Sequence, residues 1–200
     1  MKFKHIVTIL VLVMVSSIAL ADQEGPNELY VTGNGPFYLK CIPAEALRDR
    51  EKGKTMVYLA GKESDTLIHT FDWYSPRAFI TGWGGGTSVI RLGPWPRGSK
   101  ASASDLGIAF YRDEKLVARY STLDLAGNEG NVSVSVSHYG VIKDVIGIVR
   151  VYEKKGEDIL SADPEYAFEI VLHDGRRLLF DIHTGKRVKL TDNMFTILDK

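Results

Sequence analysis

The sequence predicts an all-β protein, an antiparallel β-sandwich or barrel of about ten short strands with one short surface helix. Three observations carry this. From Thr55 onward, apolar and polar residues alternate at period two in short segments. Clusters of Gly, Pro, Asn, Asp and Ser separate those segments about every ten residues, as in sandwiches and barrels. A helical pattern is confined to Pro43–Lys52.

The chain opens with Lys2 and Lys4, then Ile6–Val15, an apolar run interrupted only by Thr8. Ser16 and Ser17 close the run, and Ala19-Leu20-Ala21 puts small residues ahead of the polar Asp22. This is the order of a secretory leader, and it predicts residues 1–21 as a signal peptide cleaved after Ala21. A membrane-spanning helix needs about 20 apolar residues, so the run is too short to remain as an anchor and no stable membrane span is expected after cleavage. Residues 22–200 are then expected to form a single all-β domain in the periplasm or the extracellular medium.

In that mature segment, Glu24–Asn34 is polar and carries Gly25, Pro26, Gly33 and Asn34, which reads as a leading loop. Phe37–Ile42 reads as the first strand. Pro43–Lys52 reads as the helix, with Pro43 at its first position, Gly53 as its stop and a thin apolar side of Ala44, Ala46 and Leu47. Thr55–Ala60 and Thr66–Tyr74 follow as strands, the second with Leu67, His69, Phe71 and Trp73 on one face. Ala78–Trp83 and Thr87–Leu92 flank Gly84-Gly85-Gly86. A long loop runs from Gly93 to Ser104. Leu106–Tyr111 and Leu116–Ser121 flank a tip at Arg112–Lys115. Val132–His138 alternates valine with serine, the pattern of a half-exposed strand. Val145–Tyr152 is β-branched and apolar on both faces, as in a central strand.

The last hairpin allows a register to be derived. Tyr166, Phe168, Ile170 and Leu172 share one face, and Leu178, Phe180 and Ile182 share the matching face of the next strand. All are even-numbered, so facing partners must sum to an even number. A three-residue loop, His173-Asp174-Gly175, satisfies this by pairing 170 with 178 and 168 with 180, and it places Gly175 at a left-handed position. A two-residue loop would set Phe168 opposite Asp181.

Composition narrows the function. The full chain has 25 Lys and Arg against 25 Asp and Glu. Removing the two leader lysines leaves 23 against 25, a charge of −2 without basic clusters, which excludes a nucleic-acid partner. The single cysteine, Cys41, has no internal partner for a disulfide and sits in an apolar segment, so it is expected to be buried and inert. Gly82-Trp83-Gly84-Gly85-Gly86-Thr87-Ser88 lacks the Gly-Lys-Ser/Thr ending of a phosphate loop and leads into a strand rather than a helix. No nucleophile elbow, paired-histidine metal motif or calcium loop is written in the sequence, so no cofactor or metal is expected.

Two sets of residues stand out against that background. Asp181 and His183, two apart on one strand face, are the weak candidates for acid–base chemistry. Trp73, Tyr74, Trp83 and Trp95 fall close together, and Trp95 is held stiffly between Pro94 and Pro96. A presented aromatic ring is a platform for a sugar ring or a partner's apolar side chain. Trp83, Trp95 and Tyr74 are therefore the expected binding residues, and the leading expectation is an exported, non-catalytic binding or accessory protein with a protein or carbohydrate partner. Two other readings stand beside it. One is an enzyme of envelope polymers using carboxylates or Asp181 and His183. The other is an envelope structural subunit that adds strands to neighbours through an open sheet edge such as Val132–His138.

Overall fold

The computed structural model describes residues 28–44, 51–82, 85–155 and 158–198, with the side chains of 161–165 excepted. Almost everything described is antiparallel strand, in three main sheets. The first holds β1 (Tyr30–Asn34), β2 (Phe37–Pro43), β3 (Gly53–Leu59) and β4 (Thr66–Phe71), paired in sequence order. The middle sheet holds β5 (Ala78–Gly82), β6 (Thr87–Leu92), β7 (Leu106–Arg112) and β8 (Lys115–Ser121), also in sequence order. A five-residue helix, α1 (Thr122–Ala126), and a small ribbon of β9 (Ser133–Val134) and β10 (Tyr139–Gly140) follow. The third sheet combines β11 (Ile142–Lys155), β12 (Asp158–Leu172), β13 (Arg177–Asp181), β14 (Arg187–Val188) and β15 (Met194–Leu198) in the order β14-β13-β12-β11-β15.

The middle sheet is the internal layer, and its side chains show why. Every residue of β6 is buried, and its two faces serve different cores. Val89 packs with Leu39, Cys41 and Val57 of the first sheet, while Ile90 and Leu92 pack with Phe168, Ile170 and Phe180 of the third. The same alternation divides β5, where Ala78 and Ile80 face the first sheet and Phe79 meets Phe168 with ring centroids 4.9 Å apart. In β7, Ile108 and Phe110 join the core shared with the third sheet, and Tyr111 turns the other way onto Phe71 and Trp73. Continuous apolar runs such as Val89-Ile90 are what a strand covered on both faces requires. Burying each large apolar side chain contributes roughly 1.5–3 kcal/mol, and these two cores are the main source of stability.

The register derived for the last hairpin is the one observed. Ile170 pairs with Leu178 and Phe168 with Phe180. The Leu172 N–H donates to the Arg176 carbonyl at 2.8 Å, and Gly175 closes the loop at φ 86°. The central position expected for Val145–Tyr152 also holds, since β11 lies between β12 and β15. The long β11–β12 pair bends through three register breaks, one beside Gly147 at φ 102°, as bulged strands do.

Four expectations need correction. Residues 30–34 are not loop but β1, folded against β2 through a two-residue Gly35-Pro36 turn with Gly35 at φ 61°. Pro43 does not start a helix; it ends β2 and pairs with Gly53, and the Ala44 N–H donates to the Lys52 carbonyl. The remainder of the predicted helix, 45–50, lies outside the described residues, as does the leader. The helix that is described, α1, is set by a capping box: the Ser121 hydroxyl accepts from the Asp124 N–H, the Asp124 carboxylate accepts from the Ser121 N–H, and Gly127 ends it at φ 79°.

The strand expected over Thr66–Tyr74 stops at Phe71 and carries a bulge. The partners of Val57 and Tyr58 are His69 and Leu67, so Ile68 is the extra residue. Ile68 rather than Leu67 packs on the core, and Leu67 is left exposed. Val132–His138 is not a continuous strand. Ser133–Val134 pairs with Tyr139–Gly140 and His138 bridges Arg97, while between them Ser135 turns the chain locally: its N–H and hydroxyl both donate to the His138 carbonyl, and its oxygen accepts from the His138 N–H. Serine hydroxyls compete in this way with ladder pairing. Val132–His138 therefore does not offer a long continuous sheet edge.

Candidate functional site

The chain opens a cleft of about 450 Å³ at the end of the middle sheet where β5 begins, β6 ends and β7 begins. The turn at Pro76-Arg77, the loop Gly93–Pro96 and the β9–β10 ribbon form its walls, and Leu106 and Leu125 lie in its floor. The volume is within the roughly 300–1,000 Å³ of small-molecule sites. Trp95 stands at the rim, 41% exposed, with its indole stacked on the buried His138 ring at 5.0 Å between centroids. Its loop is pinned by backbone bonds, from the Tyr139 N–H to the Pro96 carbonyl and from the Gly98 N–H to the Ser137 carbonyl. The stiffness expected from the two flanking prolines is thus reinforced by pairing with the ribbon.

Two close backbone approaches shape the space. A Cβ at Gly93 would sit 1.7 Å from the Leu106 carbonyl oxygen, so only glycine fits where β6 leaves the sheet. A Cβ at Gly140 would meet His173 Nε2 at 3.3 Å and Trp95 Nε1 at 3.9 Å. The absence of a side chain there leaves both ring nitrogens within 4 Å of one point over bare backbone.

The polar groups of the cleft fall into two sets. Tyr139 is buried, and its hydroxyl is engaged by Asp105 Oδ2 at 2.6 Å and Thr122 Oγ1 at 2.8 Å. Burial first, then the Asp105 carboxylate, pushes the Tyr139 phenol up to about 12. Thr122 also bonds the Ser102 backbone, and Ser135 is committed to its turn. The second set is open. Among the described residues, Trp95 Nε1, the His173 ring and the Ser133 hydroxyl have no hydrogen-bond partner in the protein. Arg77 makes one long contact, from a guanidinium nitrogen to the Gly93 carbonyl at 3.5 Å, and no carboxylate pairs with it among the described residues. Arg77 is exposed as a residue, yet its guanidinium is crowded closely enough that desolvation lowers its proton affinity below the ordinary arginine value.

The opposite end of the middle sheet is also polar but closed on itself. The Ser88 hydroxyl lies 3.1 Å from His183 Nδ1, and Arg112 Nη1 reaches both, at 3.2 and 3.1 Å. A guanidinium can only donate, so the Nδ1 it faces is an acceptor and the His183 proton sits on Nε2. Asp113 accepts from the Thr87 N–H at 2.9 Å, and His69 lies 3.6–3.7 Å from Glu114 and Asp113.

Asp181 and His183 are brought together, but not as an acid–base pair. One oxygen of Asp181 accepts from the backbone N–H groups of His183 and Thr184 and from the Thr184 hydroxyl, which folds the turn after β13. The carboxylate serves the backbone and not the imidazole. Among the described residues the Ser88–His183 contact therefore has no orienting acid, and Ser88 is fully buried. Among the described residues, no three His, Cys, Asp or Glu side chains converge as a metal site.

Of the expected binding residues, Trp95 alone is placed in the cleft. Tyr74 is a correction: it is 1% exposed, and its hydroxyl donates to the Glu28 carbonyl at 2.8 Å, which ties the start of the described chain to the core. Trp83 lies outside the described residues. Cys41 is buried and free, and burial pushes its thiol up. Arg77, Ser133 and His173 were not singled out from the sequence. They come from three distant segments with no common period; His173 was legible only as part of a hairpin loop and Ser133 only as part of an alternating strand pattern. No described helix is long and apolar enough to cross a membrane. Set against family models, curated proteins and solved structures, the chain matches none.

Proposed function

We propose that this is an exported, non-catalytic binding protein that captures its ligand in the Trp95 cleft. The observation that carries this reading is the combination at one place of a half-exposed, rigidly held indole with several polar side chains that have no partner in the protein. Arg77, Trp95, Ser133 and His173 are all exposed at the mouth of an apolar cavity, so a ligand seated there can take the place of solvent on their polar atoms without breaking bonds within the protein. The leader-like order of residues 1–21 supports export, with Asp22 as the first residue of the released chain.

Two measurements test the proposal. Intact mass of the protein recovered outside the cytoplasm should correspond to a chain beginning at Asp22; a retained Met1 leader would overturn the export reading. Native mass spectrometry of the same material should show a bound ligand that is lost on Trp95→Ala with the circular dichroism unchanged. Capture that survives the substitution would reject the cleft.

A further inference from the structure

Resting on that reading of the cleft, we infer that its ligand is a carboxylate joined to an apolar, ring-sized body. The argument is one of complementarity. Of the polar groups left open, two can only donate: the Arg77 guanidinium and the Trp95 indole N–H. The ligand must therefore supply acceptors. Arg77 is the one formal positive charge lining the cleft, no aspartate or glutamate lines it, and no acid pairs with Arg77 among the described residues. An anion entering here meets Arg77 directly, while the nearby Asp105 carboxylate is held behind the lining by the Tyr139 hydroxyl at 2.6 Å.

The walls dictate the remainder. Pro94, Pro96, Leu106, Leu125 and Ile142 offer no hydrogen bonds from their side chains, and the exposed face of Trp95 offers a flat apolar surface. A bare inorganic anion would leave these walls wet, whereas a ring or branched chain covers them. A carboxylate accepts two parallel N–H bonds from a guanidinium, the geometry at which arginine is strongest. The desolvation of the Arg77 guanidinium acts in the same direction, since a cation partly stripped of water gains more from a bound counter-charge. Two sources carry this chemistry, a free organic acid and the C-terminus of a peptide ending in an apolar residue.

The test uses the purified processed protein with nitrogen-15 labelling and follows the Trp95 indole N–H signal, assigned by its loss in Trp95→Phe. The chain holds three tryptophans, so the signal is readily isolated. The probes are 3-phenylpropionate against its amide, and a tripeptide ending in Phe as free acid against its C-terminal amide, with inorganic phosphate as the bare anion. At least one acid should shift the Trp95 signal saturably, with an affinity at least about tenfold above its amide. Which acid does so identifies the source. Arg77→Gln should reduce the acid to the level of the amide and leave the amide where it was, and added salt should weaken the acid alone.

Acid and amide binding alike, or an acid indifferent to Arg77→Gln, would overturn the carboxylate inference while leaving the cleft as a binding site. Phosphate matching the better acid would overturn the apolar body. No shift of the Trp95 signal by any probe would overturn both this inference and the reading on which it rests.

Discussion

The four strands of the middle sheet end in two polar regions of similar composition and opposite condition. At the β7–β8 tip, Arg112, Ser88 and His183 bond one another, Asp113 holds the Thr87 backbone, and His69 lies between Asp113 and Glu114. At the other end, Arg77, Trp95, His173 and Ser133 surround an open volume with their hydrogen-bonding capacity largely unused. Both ends contain an arginine, a serine and a histidine. Residue type does not separate a site from a structural cluster here; the separating property is whether the neighbours already satisfy the side chains. A closed cluster stabilises the fold, and an open one is available to bind.

The comparison fails most visibly if the cleft end is soft, because an open cluster on a yielding frame would simply collapse. Gly93→Ala tests the frame. The added methyl meets the Leu106 carbonyl, a backbone atom fixed by the adjacent Gly93 N–H to Gly107 carbonyl bond. The expected loss is about 3 kcal/mol in urea unfolding, at the upper end of overpacking effects. At Gly107 the added methyl would lie 2.6 Å from the buried Leu125 side chain and 3.0 Å from the Ser121 carbonyl oxygen, a milder approach than at Gly93, so Gly107→Ala should cost about 2 kcal/mol. A neutral Gly93→Ala would show that the cleft geometry is not held.

Tyr139 sharpens the comparison within the cleft itself, since with Thr122 and Ser135 it belongs to the engaged set beside the open one. Tyr139→Phe removes bonds to Asp105 and Thr122 and should cost about 1–2 kcal/mol. The phenol is raised from 10.0 to about 12 in the folded protein. A group whose pKa is raised on folding stabilises fully below its unfolded pKa and loses that contribution as pH climbs through the folded one. Wild-type stability should therefore fall between pH 10 and 12 by an increment that Tyr139→Phe lacks. Parallel pH profiles for the two proteins would contradict the assignment.

The arginines give the most direct contrast. Arg112→Gln breaks two bonds in a closed cluster and should cost about 1 kcal/mol. Arg77→Gln breaks one long contact and should stay within about 0.5 kcal/mol of wild type. Chemical denaturation of both variants under one set of conditions compares them. Equal losses would mean that Arg77 is as engaged as Arg112 and that the two ends do not differ.

Much of the fold was legible because burial imposes a parity. Phe168 and Phe180 had to face each other once both strands carried their apolar residues at even positions. The misses share a cause, in that short-range hydrogen bonds overrode the period. Ser135 folds Val132–His138 back on itself despite unbroken alternation. The bulge at Ile68 exchanges it for Leu67 on the core face. The α1 capping box, Ser121 with Asp124, was written in the sequence but spans too little chain to register as helical periodicity. At the cleft, the stiff presentation of Trp95 was legible from its two prolines. Tyr74 was misread, because a turn-adjacent aromatic can close a core as readily as it can meet a ligand, and Arg77 and His173 needed the three-dimensional assembly to be seen beside it.

The smallest expected effect bears on the residue pair that the sequence alone favoured for chemistry. Asp181 uses a single carboxylate oxygen to hold two backbone N–H groups and a hydroxyl. An amide oxygen at the same place accepts the same bonds, so Asp181→Asn should change stability by less than about 0.5 kcal/mol, whereas Asp181→Ala should cost about 1 kcal/mol. If charge on Asp181 oriented His183 for proton transfer, the order would differ: the asparagine variant would fold normally and lose function as completely as alanine does. Thermal unfolding together with ligand capture, measured on both variants, separates the two cases. Asparagine matching wild type in both measurements identifies the carboxylate as a turn cap, and capture abolished in a folded Asp181→Asn would move the working site to the end of the sheet that is closed here.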